Sequence, residues 1–237
     1  MSDDEASIWM RPVRPARGPQ PGYSRDTIVA TAIAIADAEG LEALSMRRLA
    51  AEVGAGTMSL YRYVPKKSDL YELMLDTVAS EDPLPEKPSG DWRADMRRLA
   101  HRQRRTCLRH PWAVTVAARP VFGPNILRTT EWQFAALEGL GLDIDGMLRL
   151  SYVVDAFVTG VVQSEVAERD IARRTGIDEN QWRLAQIPYI QRLIGSGEFP
   201  YMAKVIVDAK TPHEDADALF GELLDRVLDG LAATMPS

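Results

Sequence analysis

Between residues 24 and 65 the chain is cut into short apolar-periodic segments by its own capping and breaking residues, and few folds accept that pattern. Ser24 suits a helix start, and behind it Ile28, Ala32, Ile35 and Ala36 recur at the spacing of one helical face. Gly40 stops this helix, with Leu41 following. Ser45 opens a second, shorter segment that runs through Val53, and Gly54 breaks it. A third begins near Gly56 or Thr57 and ends at Val64 and Pro65. Ser68 is placed to cap a fourth, whose inner face carries Leu70, Leu73, Met74 and Val78. Helices this short are marginal alone and must pack on one another.

The second and third segments have the residue types of a helix-turn-helix. Two helices crossing at a steep angle need a small residue at the crossing, which Ala50 supplies. The turn needs a residue that tolerates positive φ, which Gly54 supplies. Leu49, Val53 and Leu60 then face the first helix.

Downstream the pattern stays helical. A Pro-rich break at 81–90 is followed by a long segment from Asp91 to about His110, a short one over 112–118, and another from Pro124 to about Leu140. Asp143 or Asp145 starts a helix reaching about Arg174, residues 178–194 form the next, and 201–207 a short one. Thr211 and Pro212 start the last, which ends near Met235. No segment sustains the alternation of a strand. The expected fold is all-α: a three-helix helix-turn-helix domain over 24–80 and a larger helical domain over 81–237. Residues 1–23, with Pro12, Pro15, Pro19 and Pro21 among Arg11, Arg14 and Arg17, read as a disordered tail.

Composition narrows the function classes. The 237 residues are 46% hydrophobic and 26% charged, as in an ordinary globular chain. A single cysteine, Cys107, excludes a disulfide framework, and His101, His110 and His213 lack metal-ligand spacing, so no metal or cofactor is expected. There is no apolar run long enough to span a membrane and no secretory signal, which makes the cytoplasm the expected compartment. The net charge of −6 argues against a whole-surface coat of nucleic acid and leaves room for a local basic face. No GxSxG, HExxH, P-loop or GxGxxG motif is present, so an all-helical enzyme is the weaker alternative. A constitutive DNA-binding protein without a ligand is the other.

The run from Ser45 to Leu70, with Leu60-Tyr61-Arg62-Tyr63-Val64 followed by Lys66-Lys67-Ser68-Asp69-Leu70, resembles the DNA-binding domain of the tetracycline-repressor family. His110-Pro111-Trp112 and Gly123-Pro124-Asn125 are similar to one branch of its C-terminal domains. The resemblance implies a homodimer that binds a palindromic operator in double-stranded DNA, most often as a repressor released by a small molecule. It puts Thr57, Met58, Ser59 and Arg62 on the recognition helix, and Arg47 at a position that can reach a base. Tyr61, Tyr63 and Lys67 match phosphate-holding positions, while Pro65 and Lys66 depart from the commoner loop. Arg11, Arg14 and Arg17 are either a minor-groove arm or a solvated tail.

For the effector, Tyr152, Asp155, Thr159 and Gln163 share one stripe of a helix, which lines either a pocket or a packing or dimer interface. Trp112, Phe122, Asn125, Trp132, Phe134 and Trp182 are further pocket candidates, with core packing as the alternative. The founding member's helix-four histidine falls on Pro83 by ungapped extension from Lys67, so a largely apolar ligand is expected rather than a metal chelate. The resemblance implies that 81–237 is the ligand-binding and dimerisation domain, with the helices over 143–174 and 212–235 as its dimer seam. The arginines at 97, 98, 102, 104, 105 and 109 form a solvated face, an anion site or a second DNA contact.

Overall fold

The computed structural model describes residues 7–11, 23–116, 120–209 and 215–235. The chain packs as two units, Met1–Gly139 and Leu140–Ser237. Every regular element among the described residues is a helix.

In the first unit, α1 (Arg25–Glu39) starts where Ser24 Oγ accepts the Thr27 amide and ends where Gly40, at φ 85°, returns its own amide to Ala36. A 3-10 turn (Leu41–Ala43) leads to Ser45, which caps α2 (Met46–Val53). Gly54 closes α2 in the left-handed region at φ 71°, the conformation the turn requires. α3 (Thr57–Leu60) is a single helical turn, continued by tight turns that bring the Val64 amide back to Leu60. α4 (Lys67–Val78) begins two residues earlier than a cap at Ser68 would place it. Lys66, extended after Pro65, is the N-cap residue without a side-chain cap, and Ser68 lies inside the first turn.

These helices enclose one apolar core. Ile28, Ala32, Ile35 and Ala36 of α1 meet Leu49 and Ala50 of α2, Leu60 and Val64 around α3, and Leu70, Leu73, Met74 and Val78 of α4. The N-terminal stretch is not a free tail throughout. A 3-10 turn (Ile8–Met10) buries Ile8 to 1% exposure in this core, with Trp9 packed against it. The apolar Ile8-Trp9 pair was masked by the Pro- and Arg-rich average around it. Arg14 and Arg17 lie outside the described residues.

α5 (Trp92–Arg109) is capped by Asp91, whose Oδ1 accepts the Arg93 and Ala94 amides at 3.0 and 3.2 Å. α6 (Ala113–Val116) is one turn, and α7 (Pro124–Leu137) opens on its proline. α7 packs on α5 and on α4, so these helices belong to the same packing unit as the first four.

In the second unit, α8 (Ile144–Thr175) runs from an Asp143 cap to Gly176. α9 (Glu179–Gly195) has a capping box between Asp178 and Gln181. α10 (Pro200–Asp208) follows, and α11 (Ala216–Ala232) starts at Asp215, whose carboxylate accepts the Asp217 and Ala218 amides. The expected start at Thr211 and Pro212 lies outside the described residues. Leu150, Val154, Val158 and Val162 recur every four residues on α8 and meet Phe220, Leu224 and Leu228 of α11. The Phe157 and Phe220 rings stack at 5.6 Å.

Candidate nucleic-acid interface and the helix behind it

Arg47 and Arg48 sit side by side at the start of α2 and have different fates. Arg48 is tied to Glu39 at 3.0 Å and to Glu52 at 3.5 Å. Arg47 is exposed and makes no ion pair among the described residues, so its guanidinium is open to solvent. On α3, Met58 is 80% exposed while Thr57 and Ser59 are half-buried, and Leu60 behind them is fully buried. A methionine this exposed on a helix packed by its neighbour leaves apolar surface for a partner. Tyr61, Arg62, Lys66 and Lys67 are exposed at the end of the recognition segment, with Lys67 Nζ 5.5 Å over the Tyr71 ring.

Tyr63 departs from the expected set. It is 8% exposed, with its ring edge-on to Tyr23 at 5.6 Å, so its body is core and at most its rim faces outward. Arg25 fixes the segment from behind, donating Nε to the Tyr63 carbonyl and Nη2 to the Arg11 carbonyl, both at 3.2 Å.

α4 leads from this surface to a dense polar clamp. Arg102 of α5, almost fully buried, donates to the Ala79 and Asp82 carbonyls just past the α4 C-terminus. Burial lowers its pKa from the ordinary arginine value, and Asp82 opposes that shift. Arg105 reaches Asp82 at 2.6 Å and Arg109 reaches Glu81 at 2.9 Å. Three of the arginines read as a possible outward basic face therefore bind the chain's own α4–α5 connection. His110, 3% exposed, has Nδ1 2.8 Å from Asp37 of α1 and Nε2 2.9 Å from Glu81. Neighbouring Trp112 donates its indole to Asp37 at 2.7 Å.

These bonds reassign three of the expected pocket residues. Trp112 is 4% exposed and belongs to the core. Trp132 is 8% exposed and donates to the Pro85 carbonyl at 2.9 Å. Asn125 spends its amide on Asp76 of α4. The two buried indoles find internal acceptors, as buried donors do. Phe122 is 67% exposed, and Phe134 is half-buried on α7. In the second unit, Tyr152, Gln163 and Trp182 are exposed, and Asp155 and Thr159 are half-buried. Burial pushes the Asp155 carboxyl up to about 6. A groove of about 540 Å³ lies between the start of α8 and the end of α11, lined by Leu142, Arg149, Val153, Leu231 and Met235 among others, and by none of the expected ligand residues. Among the described residues no group of three or more His, Cys, Asp or Glu is arranged to hold a metal ion, and no helix is long and apolar enough to cross a membrane.

The family description "Bacterial regulatory proteins, tetR family" matches residues 28–74, and "Tetracyclin repressor-like, C-terminal domain" matches residues 84–235. The chain belongs to the tetracycline-repressor family. It is 40% identical over 227 residues to the HTH-type transcriptional repressor DrrR1 of Streptomyces coeruleorubidus, covering 94% of this chain and 83% of that protein. An HTH-type transcriptional regulator of Saccharopolyspora erythraea is 37% identical over 160 residues, 67% of each chain. The crystal structure of the TetR family protein ActR of Streptomyces coelicolor in complex with actinorhodin superposes with a TM-score of 0.73 at 28% identity, covering 91% of this chain and 98% of that one. This TetR-family chain is thus a helix-turn-helix transcriptional regulator of a family whose members are dimers.

Proposed function

We propose that the protein is a repressor that binds an inverted-repeat operator as a homodimer and is released by a small molecule. The observation that carries the DNA-reading half is the exposure of Arg47, Met58 and Arg62 in front of the buried Leu49, Ala50 and Leu60, with no ion pair on either arginine among the described residues. In the major groove Arg47 would pair with a guanine, Thr57 and Ser59 would hydrogen-bond base edges, and Met58 would touch a thymine methyl. Tyr61, Lys66 and Lys67 would hold phosphates and set the register. Supporting the release half, ActR has been crystallised with actinorhodin and with (S)-DNPA, and DrrR1 is named a repressor.

An effector acts only through its differential affinity for the DNA-bound and free geometries. The half-buried Asp155 and Thr159 of α8 are the polar contacts this reading retains, in a largely apolar site. The cytoplasm is the compartment it implies.

Selection from a random DNA pool with the purified protein tests the reading. Enrichment of an inverted repeat with half-sites one or more helical turns apart is the expected result. A dimer that enriches no site at low salt would overturn it.

A further inference from the structure

α8 carries three polar side chains in a column, one helical turn apart, that nothing in the protein satisfies. Ser151 is 8% exposed, and its buried Oγ has no hydrogen-bond partner. Asp155 follows four residues later, half-buried, with no hydrogen bond or ion pair among the described residues. Thr159, four residues further on, is half-buried and equally unpaired. Hydroxyls inside a helix commonly bond the carbonyl four residues back, as Thr129, Thr130 and Ser164 do here. Ser151 and Thr159 do not, which leaves both oxygens for another partner.

The surrounding helix does not supply one. Phe157 stacks on Phe220 of α11, and at 3.6 residues per turn Asp155 and Thr159 point about 160° away from Phe157. Between Arg149 and Arg169 α8 has no Lys or Arg, and Arg149 is drawn to Asp143 at 3.8 Å. Burial is what raises the Asp155 carboxyl, and at about pH 7 a group titrating near 6 is still about nine-tenths ionised. A half-buried negative charge is therefore present with no cation to meet it, an arrangement that is costly unless a partner arrives. Tyr152, on the same stripe and 70% exposed, presents an aromatic face beside it.

We propose that Asp155, with Ser151 and Thr159 a turn to either side, receives a primary or secondary ammonium group carried by an otherwise apolar effector. The ammonium N–H groups donate to the carboxylate and to the Ser151 and Thr159 oxygens, and charge-assisted bonds of this kind are the strong ones. The Tyr152 ring adds a cation–π contact. The proposal rests on the small-molecule release reading and names the class of molecule.

The test is calorimetric titration of the full-length protein with benzylamine, 1-naphthylmethylamine and 9-anthracenylmethylamine, each beside its uncharged N-acetyl twin. The wild type is expected to bind at least one amine about tenfold or more tighter than its twin. D155N, which keeps the side-chain shape and removes the charge, is expected to bind amine and twin alike. S151A is expected to weaken the amine by about threefold and leave the twin unchanged. A wild type that binds no amine up to about 1 mM, or shows no preference over the twins, would overturn the proposal, as would a folded D155N that keeps the preference. Operator release is read separately, by adding the same compounds to the complex with the selected operator. Binding through Asp155 without release leaves the amine site standing and removes the release half of the proposed function. Release by amine and twin alike does the opposite.

Discussion

His110 Nδ1 lies 2.8 Å from Asp37 Oδ1 across 73 residues of sequence, while its Nε2 lies 2.9 Å from Glu81. Both contacts are satisfied together only when both ring nitrogens donate. The ring thereby joins α1, the end of α4 and the end of α5. H110A is expected to destabilise the first unit by about 2–4 kcal/mol, because it leaves two carboxylates without a shared donor. Chemical denaturation with unchanged slope checks this, and a loss below about 0.5 kcal/mol would show that water replaces the ring.

Glu81 carries the pH dependence of that cluster. Burial raises its pKa, but hydrogen bonds and charge from His110 and Arg109 outweigh it, leaving the net value below the ordinary glutamate. A depressed carboxylate contributes stability above its unfolded pKa and loses it as pH falls through the folded value. The stability gap between wild type and E81Q should therefore be full at neutral pH and shrink below about pH 4.5. A gap independent of pH between 7 and 3 would remove Glu81 from the account.

Asp155 has the opposite sign. Its folded pKa is pushed up to about 6 by burial, so the native state binds its proton more tightly than the unfolded chain does. Stability falls as pH rises from the unfolded carboxylate range to about 6, and stays lowered above it. D155N should stabilise the protein at pH 7.5 and do little at pH 4. The reverse order in thermal melts would contradict the assignment.

Arg47 and Arg48 should separate function from fold. R47A is expected to weaken operator binding by about 1–3 kcal/mol, with a much smaller loss on non-specific DNA. R48A breaks exposed ion pairs and should cost about 0–1 kcal/mol of stability. Equal losses on operator and random DNA for R47A would assign it to phosphate instead.

Cys107 is packed against the core, and burial raises its thiol pKa to about 11. The thiolate is the reactive form, so alkylating reagents at pH 7.5 should label it only after denaturant is added. Rapid labelling of the native protein would show that α5 opens locally.

The helix boundaries were legible where one local device sets them. Ser24, Ser45, Asp91, Asp143 and Asp178 all cap the helices they precede. Ser68 misled because a serine in the first turn has the same local pattern as a cap, and the extended backbone at Lys66 decided the start. The pocket set was the least legible part. Trp112, Asn125 and Trp132 have residue types equally at home on a ligand wall or in a core, and only their partners at Asp37, Asp76 and Pro85 tell the two apart.

What the sequence determined by itself was local: apolar residues at helical spacing, their caps and breakers, and the Ala50–Gly54–Leu60 arrangement that folds two short helices into a DNA-reading pair. What only the tertiary structure decided was which charges find a partner within the protein. Arg102, Arg105 and Arg109 close on the end of α4, Arg48 on Glu39, and Asp76 on the start of α7, while Arg47 stays exposed. Caps and periodicity act over a few residues and can be read along the chain. A charged side chain goes to whichever partner lies within hydrogen-bond reach, and most of these partners lie 20 to 50 residues away, where only the folded chain can place them.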